Sequence, residues 1–411
     1  MMELRDYQID IANQITEKVK RLNICYLAAE VRCGKTLMTL EACKLLNVNK
    51  VLFLTKKKAI SSIENDYKEM GYRFQLTVTN YESLHKVVGN FDLIVLDEHH
   101  VNGAFPKPSN RTKLIKQRFS NLPMIFLSGS PAVESGSQWY HQFWVSRYSP
   151  FQEMNFYKWA TNYVNIVKIN YGNGYPSNDY TRANRELIQN KIDQYLITFT
   201  QKDAGFETVI SEQILYCEMK PITYQLAKSL LNDRFIKGQT DEILADTPVK
   251  LMSKLHQIYN GTCIGESGNV IIIDDSKIQF IKQKFNNKKI AIFYQFKGEL
   301  DLIKQVYSDD ITTDLNDFNN TDQSIAIQQS GSEGMNLSKA EYLIYYNFGF
   351  SGKNYIQSRD RLTTMSRKSN GVFFIFESAG ISEKIYKRII NKKQYNIKQF
   401  NQDFNCGKTN G

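Results

Sequence analysis

The sequence lacks the features that define several protein classes. Its six cysteines include no C-x-x-C pair, which argues against a zinc ribbon or a disulfide framework and favours a reducing compartment. No run of about 18 apolar residues occurs, so a membrane span is not expected. The N-terminal stretch MMELRDYQID does not have the basic and then apolar layout of a secretory signal. We therefore expect a cytoplasmic protein that does not bind membranes.

Acidic residues are the scarcer of the two charged types. The chain has 42 Asp and Glu against 52 Lys and Arg, which gives a formal net charge of +10. A basic balance attracts polyanions, most often DNA or RNA, although a protein that is merely soluble and basic has the same balance. The excess is concentrated after Ile381 and in the acid-free stretch from His99 to Val133, whose basic residues are Lys107, Arg111, Lys113, Lys116 and Arg118. These two stretches favour a nucleic-acid partner.

Short apolar runs alternate with stretches of helical spacing in two parts of the chain. The alternation extends from Asn23 to Ser130 and returns between Lys289 and Ser378. Such a pattern is typical of parallel sheets with helices on both faces, which bind ligands beyond the carboxyl ends of their strands. A chain of 411 residues also suits two domains of about 200 residues each. We predict an α/β fold with two doubly wound parallel-sheet lobes in tandem.

From about Gln138 to Met252 the pattern indicates mostly helices and loops. We place a first lobe at 1–137, a helical and aromatic extension at 138–200, and a second lobe at 201–411. All three tryptophans, Trp139, Trp144 and Trp159, lie in the extension. Aromatic side chains at this density can stack nucleic-acid bases, but they more often fill the core of a helical segment. We favour the core interpretation.

The stretch AAEVRCGKTLM, Ala28–Met38, carries a phosphate-binding pattern. Ala29, Gly34, Lys35 and Thr36 match A/G-x-x-x-x-G-K-S/T where a predicted strand turns into a predicted helix, with Cys33 in the same loop. Backbone N–H groups of such a loop surround the β-phosphate at the helix N-terminus. Lys35 would neutralise the β- and γ-phosphate oxygens, and the Thr36 hydroxyl would ligate Mg²⁺. The pattern therefore predicts an ATP site with Mg²⁺ as cofactor.

A second candidate stretch, LIVLDEHH, follows the phosphate-binding pattern by about sixty residues. Its four apolar residues deliver Asp97 and Glu98 to the end of a strand, where a carboxylate for Mg²⁺ and a base for the attacking water are needed. We assign Asp97 to the metal and Glu98 to the water. His99 and His100 would point to opposite sides of an extended chain, so we do not expect joint zinc ligation. One of them is expected to relay between the nucleotide and the next loop.

Further segments resemble the motifs of one family. LRDYQ precedes the phosphate loop, TNYESL precedes the acidic strand, and FLSGSPA follows that strand. With motifs in this order from Leu4 to about Arg367, the chain resembles a superfamily 2 helicase of the Swi/Snf-like DNA translocase branch, in a compact, phage-type form with a DEAH-like box. The resemblance implies two RecA-like lobes with a helical extension between them. It also implies a bacterial or phage-infected cell as host.

The resemblance implies roles for residues of the first lobe. Gln8 would read the adenine base, and Ser128 and Ser130 would couple hydrolysis to lobe motion. Lys56 stands where the family usually has proline. Contacts with a DNA strand are implied for Thr55, Lys57 and Asn80.

Motifs of the second lobe follow in the same way. TFTQKDAGF resembles the crossover segment, in which the family has arginine before the pair formed here by Lys202 and Asp203. IFYQF, GSEGMNLSKAEYLIYYN and QSRDRLTTMSR resemble the fourth, fifth and sixth motifs, and Asp360 matches the last of them. The implied DNA contacts are Gln295, Ser332 and Asn336, and the implied nucleotide contacts are Gly334, Gln357 and Arg361.

The sixth motif departs from the family at its last step. Arg361 is the predicted arginine finger, but Thr364 stands where a second arginine is expected. Positions 361 and 364 would share one face of a helix. Arg367 would need a local unwinding to substitute for the missing arginine. Arg359 and Arg367 are therefore either reserves or residues of a solvated helix face.

Taken together, the resemblance implies ATP bound between two lobes and DNA held across both by its backbone. Such binding is tolerant of sequence and sensitive to salt. We predict a DNA-dependent ATPase that translocates on or remodels duplex or branched DNA. A strand-separating helicase is an alternative, and a nucleic-acid-binding switch gated by ATP is another, supported only by Thr364. A nuclease or restriction subunit would need a further catalytic domain, and no acidic-lysine nuclease pattern follows Arg367.

Overall fold

The structure is a computed structural model of the chain. It describes residues 3–132, 135–170, 176–207, 209–238, 241–331, 335–364, 369–391, 400 and 403–404. The chain divides into two compact units, Met1–Phe206 and Glu207–Gly411. The sequence-based boundary lies slightly earlier, between residues 200 and 201.

Unit 1 contains a six-stranded sheet, a two-stranded hairpin and helices. Its strands are β1 (Ile24–Ala29), β2 (Lys50–Thr55), β3 (Gln75–Asn80), β4 (Leu93–Leu96), β5 (Met124–Ser128), β6 (Val167–Asn170), β7 (Pro176–Asp179) and β8 (Leu196–Phe199). Its α-helices are α1 (Asp6–Leu22), α2 (Lys35–Leu45), α3 (Ile60–Glu69), α4 (Asn110–Phe119), α5 (Gln138–Trp144), α6 (Phe156–Tyr163) and α7 (Arg185–Ile192). Short 3₁₀ helices lie at Lys57–Ala59, Tyr81–Lys86, His99–Asn102 and Asp193–Tyr195.

The sheet of unit 1 is parallel and covered on both faces. Its strand order is β3-β2-β4-β5-β1-β8, and each neighbouring pair is parallel. Alternate residues of β1 enter two different cores. Leu27 packs with residues of α1, α2 and α3, whereas Tyr26 packs with residues of α4, α5 and α6. Because successive side chains of a strand point to opposite faces, this strand is buried on both sides.

Unit 2 contains a second six-stranded sheet. Its strands are β9 (Val209–Cys217), β10 (Phe235–Lys237), β11 (Glu242–Leu244), β12 (Thr262–Ile264), β13 (Val270–Ile272), β14 (Ile290–Tyr294), β15 (Ile311–Thr312), β16 (Ser324–Gln328), β17 (Tyr342–Tyr345) and β18 (Ser369–Glu377). Its α-helices are α8 (Pro221–Asp233), α9 (Pro248–Tyr259), α10 (Ser276–Lys284), α11 (Lys297–Tyr307), α12 (Leu315–Asn320), α13 (Gly352–Arg359) and α14 (Ser382–Ile390). Short 3₁₀ helices lie at Ser308–Asp310, Gln329–Gly331 and Asp360–Leu362.

The sheet of unit 2 repeats the architecture of the first. Its order is β15-β16-β14-β17-β18-β9, and every pairing is parallel. Phe293 of β14 packs with α8, α9 and α14, and Ile292 packs with α10 and α11. The two sheets confirm the predicted α/β fold of two doubly wound parallel-sheet lobes.

The structure bears on two expectations about the segment from about Gln138 to Met252. The tryptophans belong to a core of unit 1, as expected: Trp159 is completely buried, and Trp139 and Trp144 pack in the same cluster. The prediction of mostly helices and loops from about Gln138 to Met252 missed the strands β6 to β11. β9 is a nine-residue strand that pairs along its whole length with β18.

The five cysteines in the part of the chain that the structure describes are free and buried. Among the described residues, no helix is both long enough and apolar enough to cross a bilayer.

Candidate functional site

The phosphate loop joins β1 to α2 at the carboxyl edge of the first sheet. Gly34 is the residue before the helix and has a φ of +82°, a conformation that glycine adopts without steric cost. The Lys35 ammonium donates hydrogen bonds to the carbonyl oxygens of Ala29 and Glu30, both at 2.9 Å. A Cβ built on Gly129 would lie 3.6 Å from the Ala29 oxygen, so the loop after β5 lies directly beside the phosphate loop.

Gln8, the predicted adenine reader, lies next to this loop. It belongs to the first turn of α1 and is almost buried. Its Oε1 accepts a hydrogen bond from the Arg5 backbone N–H at 3.0 Å. Its amide nitrogen would be only 2.2 Å from a Cβ built on Gly34. The structure therefore brings Gln8 and Gly34 together, and any side chain at position 34 would displace Gln8.

The other predicted residues of the loop differ in their exposure. Ala29 and Cys33 are completely buried, and burial raises the pKa of the Cys33 thiol to about 11. Cys33 is therefore a neutral packing residue rather than a nucleophile. Thr36 follows Lys35 in the first turn of α2 and is partly exposed.

Asp97 is held by neighbouring strand ends immediately after β4. Its backbone N–H donates to Leu54 O at 2.8 Å. The Thr55 hydroxyl donates to its carboxylate at 2.7 Å, and the Tyr81 hydroxyl donates to its carbonyl oxygen at 2.6 Å. Burial and the charge of Glu98 raise the pKa of Asp97 to about 6, while Thr55 and the Lys35 charge act in the opposite direction. The two predicted motifs are thus within electrostatic reach of each other.

Glu98 and His100 connect the acidic pair to the loop after β5. Glu98 has left-handed backbone angles, with a φ of 49°, which is uncommon for a residue with a long side chain. His100 Nδ1 lies 3.2 Å from the Glu98 carboxylate and 2.9 Å from the Ser128 hydroxyl. The Ser130 N–H in turn donates to that hydroxyl at 3.1 Å. This chain of contacts gives His100 the position expected of the relaying histidine.

His99 has a different role. Its ring stacks on Phe126 at a centroid distance of 4.1 Å, and its Nε2 lies 2.7 Å from the Gln142 carbonyl oxygen. Burial lowers the pKa of His99 to about 3. His99 is therefore a neutral core residue that donates to Gln142. The sequence could not tell the two histidines apart, because their environments depend on the packing of α5.

The predicted DNA contacts of unit 1 have different fates. Thr55 is completely buried and supports Asp97, so the prediction that it touches DNA is corrected. Lys57 is exposed at the start of a 3₁₀ helix. Asn80 is partly exposed, and its side chain accepts a hydrogen bond from the Ser83 N–H at 2.7 Å. Contacts of Lys57 and Asn80 with DNA stay predictions.

Much of the basic stretch between His99 and Val133 is engaged within unit 1. Arg111 lies over the Tyr81 ring and 3.3 Å from Glu82. Lys116 donates to Trp144 O at 2.8 Å, and Arg118 donates to Leu84 O at 2.6 Å. The stretch is therefore in part structural, and its charge count alone overstates the cations available to a polyanion.

In unit 2, a buried polar cluster surrounds the predicted DNA contact Gln295, at the carboxyl end of β14. Gln295 donates through its side chain to Gln329, which also accepts from the Gly349 N–H at 3.1 Å. The Glu299 carboxylate accepts from the Gln295 N–H at 2.8 Å and from the Asn347 side chain at 2.5 Å. The cluster ties the ends of β14, β16 and β17 together. The only hint of it in the sequence was Glu299, three residues after the helix N-cap.

The remaining predicted residues of unit 2 are only partly described. Asn336 is exposed and accepts a hydrogen bond from the Ser338 N–H at 3.1 Å. Gln357 lies on α13. Ser332, Gly334 and Arg367 lie outside the described residues.

The expected helical relation between Arg361 and Thr364 was wrong. α13 ends at Arg359, a short 3₁₀ helix covers Asp360–Leu362, and Thr364 has no regular structure. Arg361 is 7% exposed, and its carbonyl accepts from the Leu337 N–H at 3.1 Å. Arg359 lies 3.7 Å from Glu212 and over the Tyr355 ring. Arg359 is therefore engaged inside unit 2.

A magnesium ion suits the oxygen donors that the site offers. Thr36 supplies a hydroxyl and Asp97 a carboxylate, and hard oxygen ligands are those that Mg²⁺ prefers. Mg²⁺ usually binds through one or two carboxylates together with substrate phosphates rather than in a cage of protein ligands. No group of three or more His, Cys, Asp or Glu arranged for a metal occurs among the described residues.

Comparisons with known proteins add one finding about the N-terminal part of the chain. No curated protein matches the chain. Among solved structures, the Sulfolobus solfataricus SWI2/SNF2 ATPase core in complex with dsDNA is 16% identical with a TM-score of 0.44, over 95% of this chain and 91% of that chain. The same core domain in a second structure is 16% identical with a TM-score of 0.43, over 95% and 89%. Likenesses of this strength say nothing about function. Residues 1–133, which contain both the phosphate loop and the acidic pair, match the family model described as "Type III restriction enzyme, res subunit".

Proposed function

We propose that this protein is an ATPase of the superfamily 2 helicase type that couples ATP hydrolysis to movement along, or remodelling of, duplex or branched DNA. The observation that carries the proposal is the edge of the first sheet. There, Asp97 and Glu98 follow β4, and His100 contacts both Glu98 and Ser128 at the end of β5. The Lys35 charge, after β1, favours the ionised form of Asp97. Ligands of parallel α/β sheets bind at this edge.

Each residue of the edge has a distinct task in phosphoryl transfer. The N–H groups of the phosphate loop and the Lys35 ammonium bind the triphosphate. Thr36 and Asp97 would hold Mg²⁺, which neutralises charge on the phosphate oxygens when bound. The Thr55 hydroxyl orients the Asp97 carboxylate and favours its ionised form by donating a hydrogen bond to it. Glu98 orients the attacking water, and His100 couples Glu98 to Ser128 through its contacts with both.

The contribution of unit 2 rests on the resemblance of its motifs. Arg361 is proposed as the arginine finger, which in phosphoryl transfer contributes about 10³–10⁵ in rate. Gln295 and Asn336 are proposed to contact the DNA backbone, together with Lys57 and Asn80 of unit 1. Contacts to phosphates do not read sequence, so binding should be tolerant of sequence and weaken with salt.

Comparing DNA substrates tests the mode of action. ATP hydrolysis is measured with single-stranded, duplex and forked DNA, alongside displacement of a third strand from a triplex and strand separation of a duplex. Stimulation by duplex DNA with triplex displacement and without strand separation is the expected result. Robust strand separation would instead identify a helicase. Hydrolysis indifferent to every DNA would contradict the proposal.

A further inference from the structure

The phosphate loop adopts a shape that its own residues do not favour. Between Ala29 and Lys35 it contains a single glycine, Gly34, and Arg32 takes a left-handed conformation with a φ of 66°. A non-glycine residue in that region costs on the order of 1 kcal/mol or more and persists only where surrounding contacts hold it. The shape of this loop must therefore come from contacts with other parts of unit 1.

The segment that follows β8 supplies such contacts. The Gln201 backbone N–H donates to the Glu30 carboxylate at 2.7 Å, and the Gln201 side-chain amide donates to Val31 O at 3.1 Å. Next to them, the Glu30 N–H donates to Phe199 O at 2.9 Å, which continues the pairing of β1 with β8. Two consecutive residues of the phosphate loop are thus tied to Gln201 from one side.

Gln201 is itself held in a closed turn. The Asp203 carboxylate accepts hydrogen bonds from the Thr200 N–H at 2.8 Å and from the Thr200 hydroxyl at 2.7 Å. The Phe206 N–H donates to Gln201 O at 2.9 Å. Ala204 of the same turn is buried in the core that also contains Ala29 and Cys33. A side chain fixed in this way can position its neighbour, because little of its own freedom remains to be lost.

We propose that Gln201 and Glu30 form a clamp, and that Gln201 is a positioning residue for nucleotide binding at the phosphate loop. The inference rests on the proposed function, since it assigns the clamp to the same nucleotide site. Lys35 now donates to Ala29 O and Glu30 O. When its ammonium binds phosphate oxygens instead, those carbonyl groups lose donors, and the hydrogen bond from Gln201 to Val31 O remains to hold the loop.

The side-chain half of the clamp is tested by Gln201→Met, which keeps the length of the side chain and removes its amide group, and with it the N–H donor to Val31 O. A neutral hydrogen bond contributes about 1 kcal/mol, so we expect about five-fold weaker binding of ADP with Mg²⁺, measured by calorimetry. The KM for ATP should rise by about the same factor with kcat unchanged, since the lost interaction is made equally in ground and transition states. The melting temperature should fall by no more than about 2–4 °C, as the loss of about 1 kcal/mol predicts for a unit of this size, and the unchanged kcat separates positioning from a general structural defect.

Matched variants complete the design. Gln117→Met on the exposed side of α4 should have no effect on ADP binding. Glu30→Gln keeps an acceptor for the Gln201 N–H, whereas Glu30→Ala removes it. Since both lack the carboxylate charge, their comparison isolates the hydrogen bond, and we expect Glu30→Ala to bind ADP about five-fold more weakly.

The outcomes distinguish failure of the proposed clamp from failure of the proposed nucleotide site. If Gln201→Met binds ADP as tightly as Gln117→Met while Lys35→Ala has lost binding, the clamp is wrong and the nucleotide site stands. If Lys35→Ala binds ADP as the unsubstituted protein does, the site assignment fails and the clamp fails with it. A lower melting temperature in Gln201→Met together with a lower kcat would also overturn the positioning role.

Discussion

Thr55 orients the carboxylate of Asp97, on which the proposed chemistry depends. Its hydroxyl donates to Asp97 at 2.7 Å from a completely buried position. Thr55→Val keeps the shape and removes this hydrogen bond, which for a charged acceptor contributes about 1.5–3 kcal/mol. We therefore expect ATP hydrolysis to fall by about ten-fold or more in steady-state assays, with DNA affinity unchanged because the side chain has no exposed surface. Weakened DNA binding with normal hydrolysis in a DNA-free assay would contradict this role.

The same residue shows what could and could not be read from the sequence. That Thr55 ends a buried strand was predictable from the apolar run before it. That Asp97 lies beside Thr55 was not predictable, because no single segment of the sequence determines the order of strands in a parallel sheet. β2 pairs with β4, and only this pairing sets Thr55 beside Asp97. The placement of Lys35, Asp97 and Glu98 at the sheet edge was predictable. Each lies near an apolar run, and the direction of that run fixes the edge.

The segment after α13 decides how many arginines can act. Because the α-helix ends at Arg359, positions 361 and 364 do not repeat on one helix face. Arg361→Ala should lower kcat for ATP by about 10³-fold, the lower range for an arginine finger, with ADP affinity little changed. Thr364→Arg should not raise kcat, because an arginine there does not share the orientation of Arg361. A rise in kcat in Thr364→Arg, measured at saturating ATP and DNA, would restore the original helical interpretation.

Strands that are continuous apolar runs were predictable from the sequence, and strands that mix polar and apolar residues were not. The apolar runs of β1, β4, β5 and β14 indicated buried parallel strands, since both faces of such strands are apolar. β9 was not predicted because it is an edge strand. Its sequence VISEQILYC places polar residues such as Ser211, Glu212 and Gln213 among apolar ones, and its partner β18 lies far away in sequence. The polar cluster around Gln295 escaped for the same reason, since it joins three strand ends.

Buried neutral histidines predict how stability depends on pH. Burial lowers the pKa of His99 to about 3 and those of His141 and His256 to about 4, against about 6.5 in an unfolded chain. Between pH 6.5 and 4 each of these histidines therefore binds more protons in the unfolded state than in the folded state. Each lowers the free energy of unfolding as pH falls through this window, by up to about 1.4 kcal/mol per pH unit. Asp97 and Glu299, whose pKa values burial raises to about 6 and about 7, act in the opposite direction.

Urea unfolding at pH 7.5, 6 and 5 measures this dependence. His99→Gln keeps a donor for Gln142 O and does not titrate, so it should flatten the dependence for unit 1. His85→Gln, at an exposed position, is the matched control and should leave the dependence as it is. Equal slopes for the two variants would show that His99 is not the group responsible.

The proposed function of the whole protein requires that the first sheet edge bind and hydrolyse ATP. The most direct test is steady-state ATP hydrolysis, with and without duplex DNA, by the unsubstituted protein and by Lys35→Ala. Lys44→Ala on the same helix, where the ammonium is exposed and paired with Glu41, is the control. We predict DNA-stimulated hydrolysis that falls by about a hundred-fold or more in Lys35→Ala and persists in Lys44→Ala. Undiminished hydrolysis by Lys35→Ala would contradict the account.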